Sequence, residues 1–123
     1  MNRSALRCTA NGPADKAAMQ VVLEIAHLPQ NGIDASADFM QNHLPRARAL
    51  LAEKETAALA IVLPAAGVDY DDWRRTLARD LARAHAPKRV NVIGADGADA
   101  ASAMLAYLGD APGVTGQYLA AHE

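Results

Sequence analysis

The chain reads as a small α/β domain, with four mainly parallel strands and three principal helices, and three features of the sequence predict it. Arg89-Val90-Asn91-Val92-Ile93 is a short β-branched run with a Pro-broken lead-in, Ala86-Pro87-Lys88, and it stops at Gly94. Followed at once by Asp96-Gly97-Ala98-Asp99, such a run has the pattern of a buried parallel strand that opens into a helix. Ala57–Leu63 contains no polar residue. Both faces of that strand therefore need cover, which places it at the centre of a sheet. Between these strands lie segments of helical length with apolar residues at helical spacing. Alternation of that kind predicts βα units on a parallel sheet.

A length of 123 residues suits one domain. A net charge of −2 without any basic block argues against a nucleic-acid partner. The apolar runs are far shorter than a membrane span, so no membrane role is expected. Cys8 is the single cysteine, which excludes an internal disulfide and makes a reducing cytoplasm the default setting.

Residues 1–19 read as a mobile tail and 20–120 as the domain. Met1–Lys16 is polar and punctuated by Asn11-Gly12-Pro13, and chain ends without apolar anchors are seldom ordered. Ser4–Thr9 could add a weak extra strand, but no periodicity supports it. Cys8 has no histidine beside it to make it a nucleophile, and Met19, directly before the first strand, is an alternative start. Gln20–His27 is that first strand, with Gln20 and Glu24 on one side and Val21, Leu23 and Ile25 on the other, an alternation that suits a sheet edge. After the turn Leu28–Gly32, Asp34 or Ser36 can cap a helix. Met40, Leu44, Ala47 and Leu51 then recur at helical spacing, and Pro45 predicts a kink near His43. Arg46, Arg48 and Lys54 form the solvated face.

Pro64–Gly67 closes the central strand. Asp69 as cap, with Asp71 and Asp72 in the first turn, opens the next helix. Its apolar stripe is Tyr70, Trp73, Leu77, Leu81 and Ala84, with Arg74, Arg75, Arg79, Asp80 and Arg83 away from the centre. The last helix carries Ala101, Met104, Leu105 and Leu108 on one face, and Gly109 follows its end. The most polar strands are the first and last, so the strand order should be sequential. Right-handed crossovers would then place all three helices on one face. The other face of Ala57–Leu63 and Val90–Ile93 would be left bare unless the order is 2-1-3-4 with the first helix opposite; the tail is too polar to cover it, so another chain is expected to do so.

Leu77–Ala82 followed by Arg89-Val90-Asn91-Val92-Ile93, and Ala103–Leu108 followed by Gly113-Val114-Thr115-Gly116-Gln117-Tyr118-Leu119, resemble the C-terminal half of short-chain dehydrogenases/reductases. Ile61–Gly67 is similar to that family's strand ending in Asn-Asn-Ala-Gly, with both asparagines lost. The resemblance implies a small Rossmann-like domain. It also implies working parts that this chain lacks. A dinucleotide site needs clustered glycines after its first strand, and only Gly32 stands there. Tyr70-Asp71-Asp72-Trp73-Arg74 has the spacing of the family's Tyr-x-x-x-Lys, but arginine replaces the lysine and no serine or asparagine partner precedes it. Tyr70 and Trp73 are better read as packing residues. Catalytic residues and cofactor are therefore both expected to be none.

The loops at the carboxyl ends of the strands remain, and Gly67, Asp69, Asn91, Gly94, Asp96 and Gly97 are the candidate ligand-binding residues. Asp69, Asp71, Asp96 and Asp99 are more simply helix caps than a magnesium site. His27, His43, His85 and His122 show no ligand spacing, so no metal is expected. The expectation is a non-catalytic reductase-like domain with an assembly or regulatory role, as a homodimer or in complex with a full-length short-chain reductase. The alternative is a small-ligand or nucleotide-binding protein that uses those loops.

Overall fold

The structure, a computed structural model, describes residues 6–7 and 19–121. Its strands are β1 (Leu6–Arg7), β2 (Gln20–Glu24), β3 (Ala58–Leu63), β4 (Arg89–Gly94) and β5 (Tyr118–Ala120), in that order across one sheet. β2 to β5 are parallel, and β1 adds an antiparallel edge beside β2. The four-strand parallel core is as expected. β1 lies within the stretch read as a tail, where a weak extra strand is the alternative, and it pairs with Gln20 and Val21. The rest of the expected tail before Met19, Cys8 included, lies outside the described residues.

β3 is buried along its whole length, as an all-apolar central strand requires. α1 (Gly32–Asp38) begins behind Asn31, whose side chain accepts from the Asp34 amide at 2.8 Å; the cap is Asn31 rather than Asp34 or Ser36. A π-helical turn, Phe39–His43, joins α1 to α2 (Leu44–Leu51), so the kink falls just before Pro45. A turn of this type takes in one extra residue and shifts the inward face. Phe39 is therefore fully buried, while Met40 is 42% exposed. A short 3-10 turn, Val68–Tyr70, precedes α3 (Asp71–Ala84) and contains Asp69, which is consequently not its cap.

The inward face of α3 is Arg74, Leu77, Ala78 and Leu81, whereas Ala84 is exposed. α4 (Ala98–Gly109) starts after Gly97, which has φ +96° and no side-chain cap; Gly109 is its last residue. Among the described residues no helix is long and apolar enough to cross a membrane.

The strand order is sequential, but the helices lie on both faces. Val21, Leu23, Leu59, Ile61, Val90 and Val92 form one core with residues of α2 and α3. Ala60, Val62 and Ile93 form the other with Ala101 and Leu108 of α4. All crossovers advance in one direction, so the last has the opposite hand to the two before it, against the strong preference for one hand. The reason is occupancy. α3 already covers the first face as far as the loop before β5, where a Cβ on Gly116 would touch Ala82 at 3.5 Å. The bare apolar face was the surface left for α4. The face expected to be bare is covered by α4.

The charged lead-in to β4 ties helix ends to the sheet. Lys88 Nζ donates to the Leu51 and Glu53 carbonyls at 2.6 and 2.7 Å, closing α2. Arg89, on the α4 side, donates to the Leu108 and Ala111 carbonyls at 3.1 and 3.2 Å. Cations at helix carboxyl ends satisfy orphan carbonyls and oppose the dipole.

Candidate functional site

In a parallel sheet, ligands meet the loops at the carboxyl ends of the strands. Gly67, Asp69, Gly94, Asp96 and Gly97 all lie at that end. Asp96 Oδ1 accepts from the Ala65 amide at 3.0 Å, which joins the loop after β3 to the loop after β4. It therefore does not cap α4. The Asp69 carbonyl lies 3.8 Å from where Gly32 would carry a Cβ, so the β3 loop also reaches the start of α1. The Glu24 carboxylate is 3.9 Å from the corresponding point on Gly97.

Asn91 stands apart, in mid-strand and 2% exposed. Its Nδ2 donates to the Val114 carbonyl and its Oδ1 accepts from the Gln117 amide, both at 3.0 Å. The Val90 amide donates to Thr115 Oγ1 at 3.0 Å. Arg89-Val90-Asn91 and Val114-Thr115-Gly116-Gln117 are thus two halves of one hydrogen-bonded lock.

Arg74 is the feature that the sequence reading misplaced. It is 1% exposed, on the buried face of its helix rather than away from the centre of that face. Its guanidinium carbon lies 5.6 Å from the ring centroids of Tyr70 and Trp73 and 5.7 Å from that of Tyr118. Nη1 donates to the Tyr118 hydroxyl at 3.1 Å, while Nε is buried with no acceptor. Among the described residues no carboxylate pairs with this charge; stacking on aromatic faces is what holds it. Gly94 makes the space: a Cβ there would run into the Tyr118 hydroxyl and come within 3.1 Å of Arg74 Nη1. One signal was available, because residues 74, 77, 78 and 81 recur at the spacing of one buried helix face.

Beside this cluster a groove of about 640 Å³ crosses the end of β5, between the start of α3 and the outer side of α4. Val68, Met104, Tyr107 and Leu119 give it apolar walls, Tyr118 forms part of its floor, and Asp71 and Arg75 stand on its rim. Of the sequence candidates only their neighbourhood is shared with it. Among the described residues no three His, Cys, Asp or Glu side chains converge as a metal site.

Residues 23–121 match the family described as short chain dehydrogenase-like protein. No curated protein and no solved structure matches the chain. The match spans β3, the Arg-Val-Asn strand, α4 and the lock that joins β4 to β5. The chain belongs to the short chain dehydrogenase-like family.

Proposed function

We propose that this is a non-catalytic member of its family, with an assembly or regulatory role in the cytoplasm. The burial of Arg74 carries the reading. The basic residue four positions after Tyr70 is held by the Tyr118 hydroxyl and by the rings of Tyr70, Trp73 and Tyr118, so it is not presented to a nicotinamide ribose. The rest of the site does not fit a pyridine dinucleotide either. The turn after β2 has no glycine before Gly32, and the start of α1 is already capped by Asn31. Each α-helix that starts at the carboxyl end of the sheet carries acid in its first turn: Asp34, then Asp71 and Asp72, then Asp99. Carboxylates at helix starts oppose a pyrophosphate placed there. Calorimetric titration of NAD and NADP is expected to give no binding, and micromolar affinity for either overturns the reading.

The assembly role is proposed through the β5 edge, since α4 covers the sheet face. β5 is three residues long and pairs only with β4 among the described strands, leaving edge backbone for a second copy or a full-length reductase. Light scattering is expected to report a dimer. A monomer that also fails to co-purify a reductase removes this part.

The groove favours a second reading, in which the regulatory signal is a small molecule. Concave, largely apolar sites with few polar groups are the usual form of ligand pockets.

A further inference from the structure

The charges around the groove are unequal. On the rim, Arg75 meets Asp71 only loosely, at 3.6 Å, and the arginine side chain is 54% exposed. Behind Tyr118 lies Arg74, a second guanidinium with a buried Nε that has no acceptor among the described residues. Two cations therefore line or back the groove against one rim carboxylate. Burial keeps the field of Arg74 from being screened as a surface charge is. The walls point to an apolar partner: Val68 and Tyr107 are 84% and 56% exposed, and Met104 and Leu119 continue the same surface. Large apolar side chains left open beside one excess positive charge complement a molecule with an apolar body and one negative group.

We propose that this groove binds a small organic acid with an aromatic or apolar body, a proposal that rests on the second reading above. The carboxylate engages Arg75, whose fork suits a bidentate contact better than the loose pair with Asp71. It sits within the field of Arg74, and the body lies across Met104, Leu119 and Tyr107. A single excess charge suits a carboxylate better than a phosphate dianion, and inorganic phosphate has no body to fill the apolar walls.

The test is titration of phenylacetate, phenylacetamide and phenethylamine, followed by calorimetry and by the NMR signals of the Met104 methyl and the Tyr107 ring. Phenylacetate is expected to bind saturably at the groove, with the amide roughly tenfold weaker and the amine weaker still. Arg75→Gln should remove the preference for the acid while leaving the melting temperature unchanged, because the side chain is on the rim. Tyr107→Ala should weaken acid and amide alike. Equal binding of the amide, or preference for the amine, overturns the choice of an acid and leaves the groove as a ligand site. No shift at Met104 or Tyr107 with any of the three at millimolar concentration overturns both. Inorganic phosphate shifting these signals as strongly as phenylacetate also overturns the proposal. None of these outcomes depends on NAD or NADP, which decide the non-catalytic reading separately.

Discussion

Replacing Trp73 with alanine is expected to destabilise the protein by about 3–5 kcal/mol, while Tyr70→Phe stays within about 0.5 kcal/mol of the parent. Trp73 packs against the larger core beside Phe39, with ring centroids 6.1 Å apart and tilted by 51°. It also forms one wall of the Arg74 cage. Its removal leaves a cavity and withdraws one of the surfaces that hold a buried guanidinium. One effect acts the other way. The indole N–H is buried without an acceptor among the described residues, so truncation also relieves an unsatisfied donor, which places the expected loss toward the lower end of that range. Tyr70 differs because phenylalanine keeps the ring that faces Arg74. Urea unfolding of both variants makes the comparison. Equal losses would assign the Tyr70 hydroxyl a structural role. An activity abolished by Tyr70→Phe in a fully folded protein would restore it as a catalytic acid.

The parts of the fold visible in the sequence are those set by local pattern. An all-apolar run can only be a central strand, and Ala58–Leu63 is one. Pro45 required a break in the helix, and the π turn supplies it. Parallel strands gather their carboxyl-end loops by topology alone, so the sequence already places Gly67, Asp69, Gly94, Asp96 and Gly97 at one end of the sheet. What was not visible depends on competition between distant segments. Nothing within residues 98–109 says which face α4 takes. That is decided by α3, which already occupies the ground as far as Gly116. The groove draws on Ala66 to Arg75, Ala103 to Tyr107 and Tyr118 to Ala120, three stretches with no shared motif. Arg74 was misplaced because its charge was weighed above its spacing, and three aromatic rings made burial tolerable.

Asn91→Leu, a substitution of similar size, is expected to destabilise the β5 end of the sheet by about 2–6 kcal/mol, because it orphans two backbone groups at about 1–3 kcal/mol each. Those groups are the Val114 carbonyl and the Gln117 amide. The loss should be local. The segment from Val114 to Gln117 is also held by Val90, whose amide donates to Thr115 Oγ1 at 3.0 Å and whose carbonyl accepts from the Gly116 amide at 2.7 Å. Val92 adds a donation to the Gln117 carbonyl at 2.9 Å. With Asn91 gone, the cheaper escape for the orphaned groups is to open the loop to water rather than unfold the core. Hydrogen exchange should therefore show lost protection at Gly116 to Ala120 while β2 and β3 keep theirs. The same experiment separates the two roles open to Asn91. A ligand-binding asparagine would lose a ligand and leave exchange unchanged, whereas the lock loses β5. Unaltered stability with unaltered protection at β5 would refute the lock. It would also remove the physical reason why Arg-Val-Asn and Val-Thr-Gly-Gln occur together in one chain, since each sequence supplies the hydrogen-bonding partners that the other lacks.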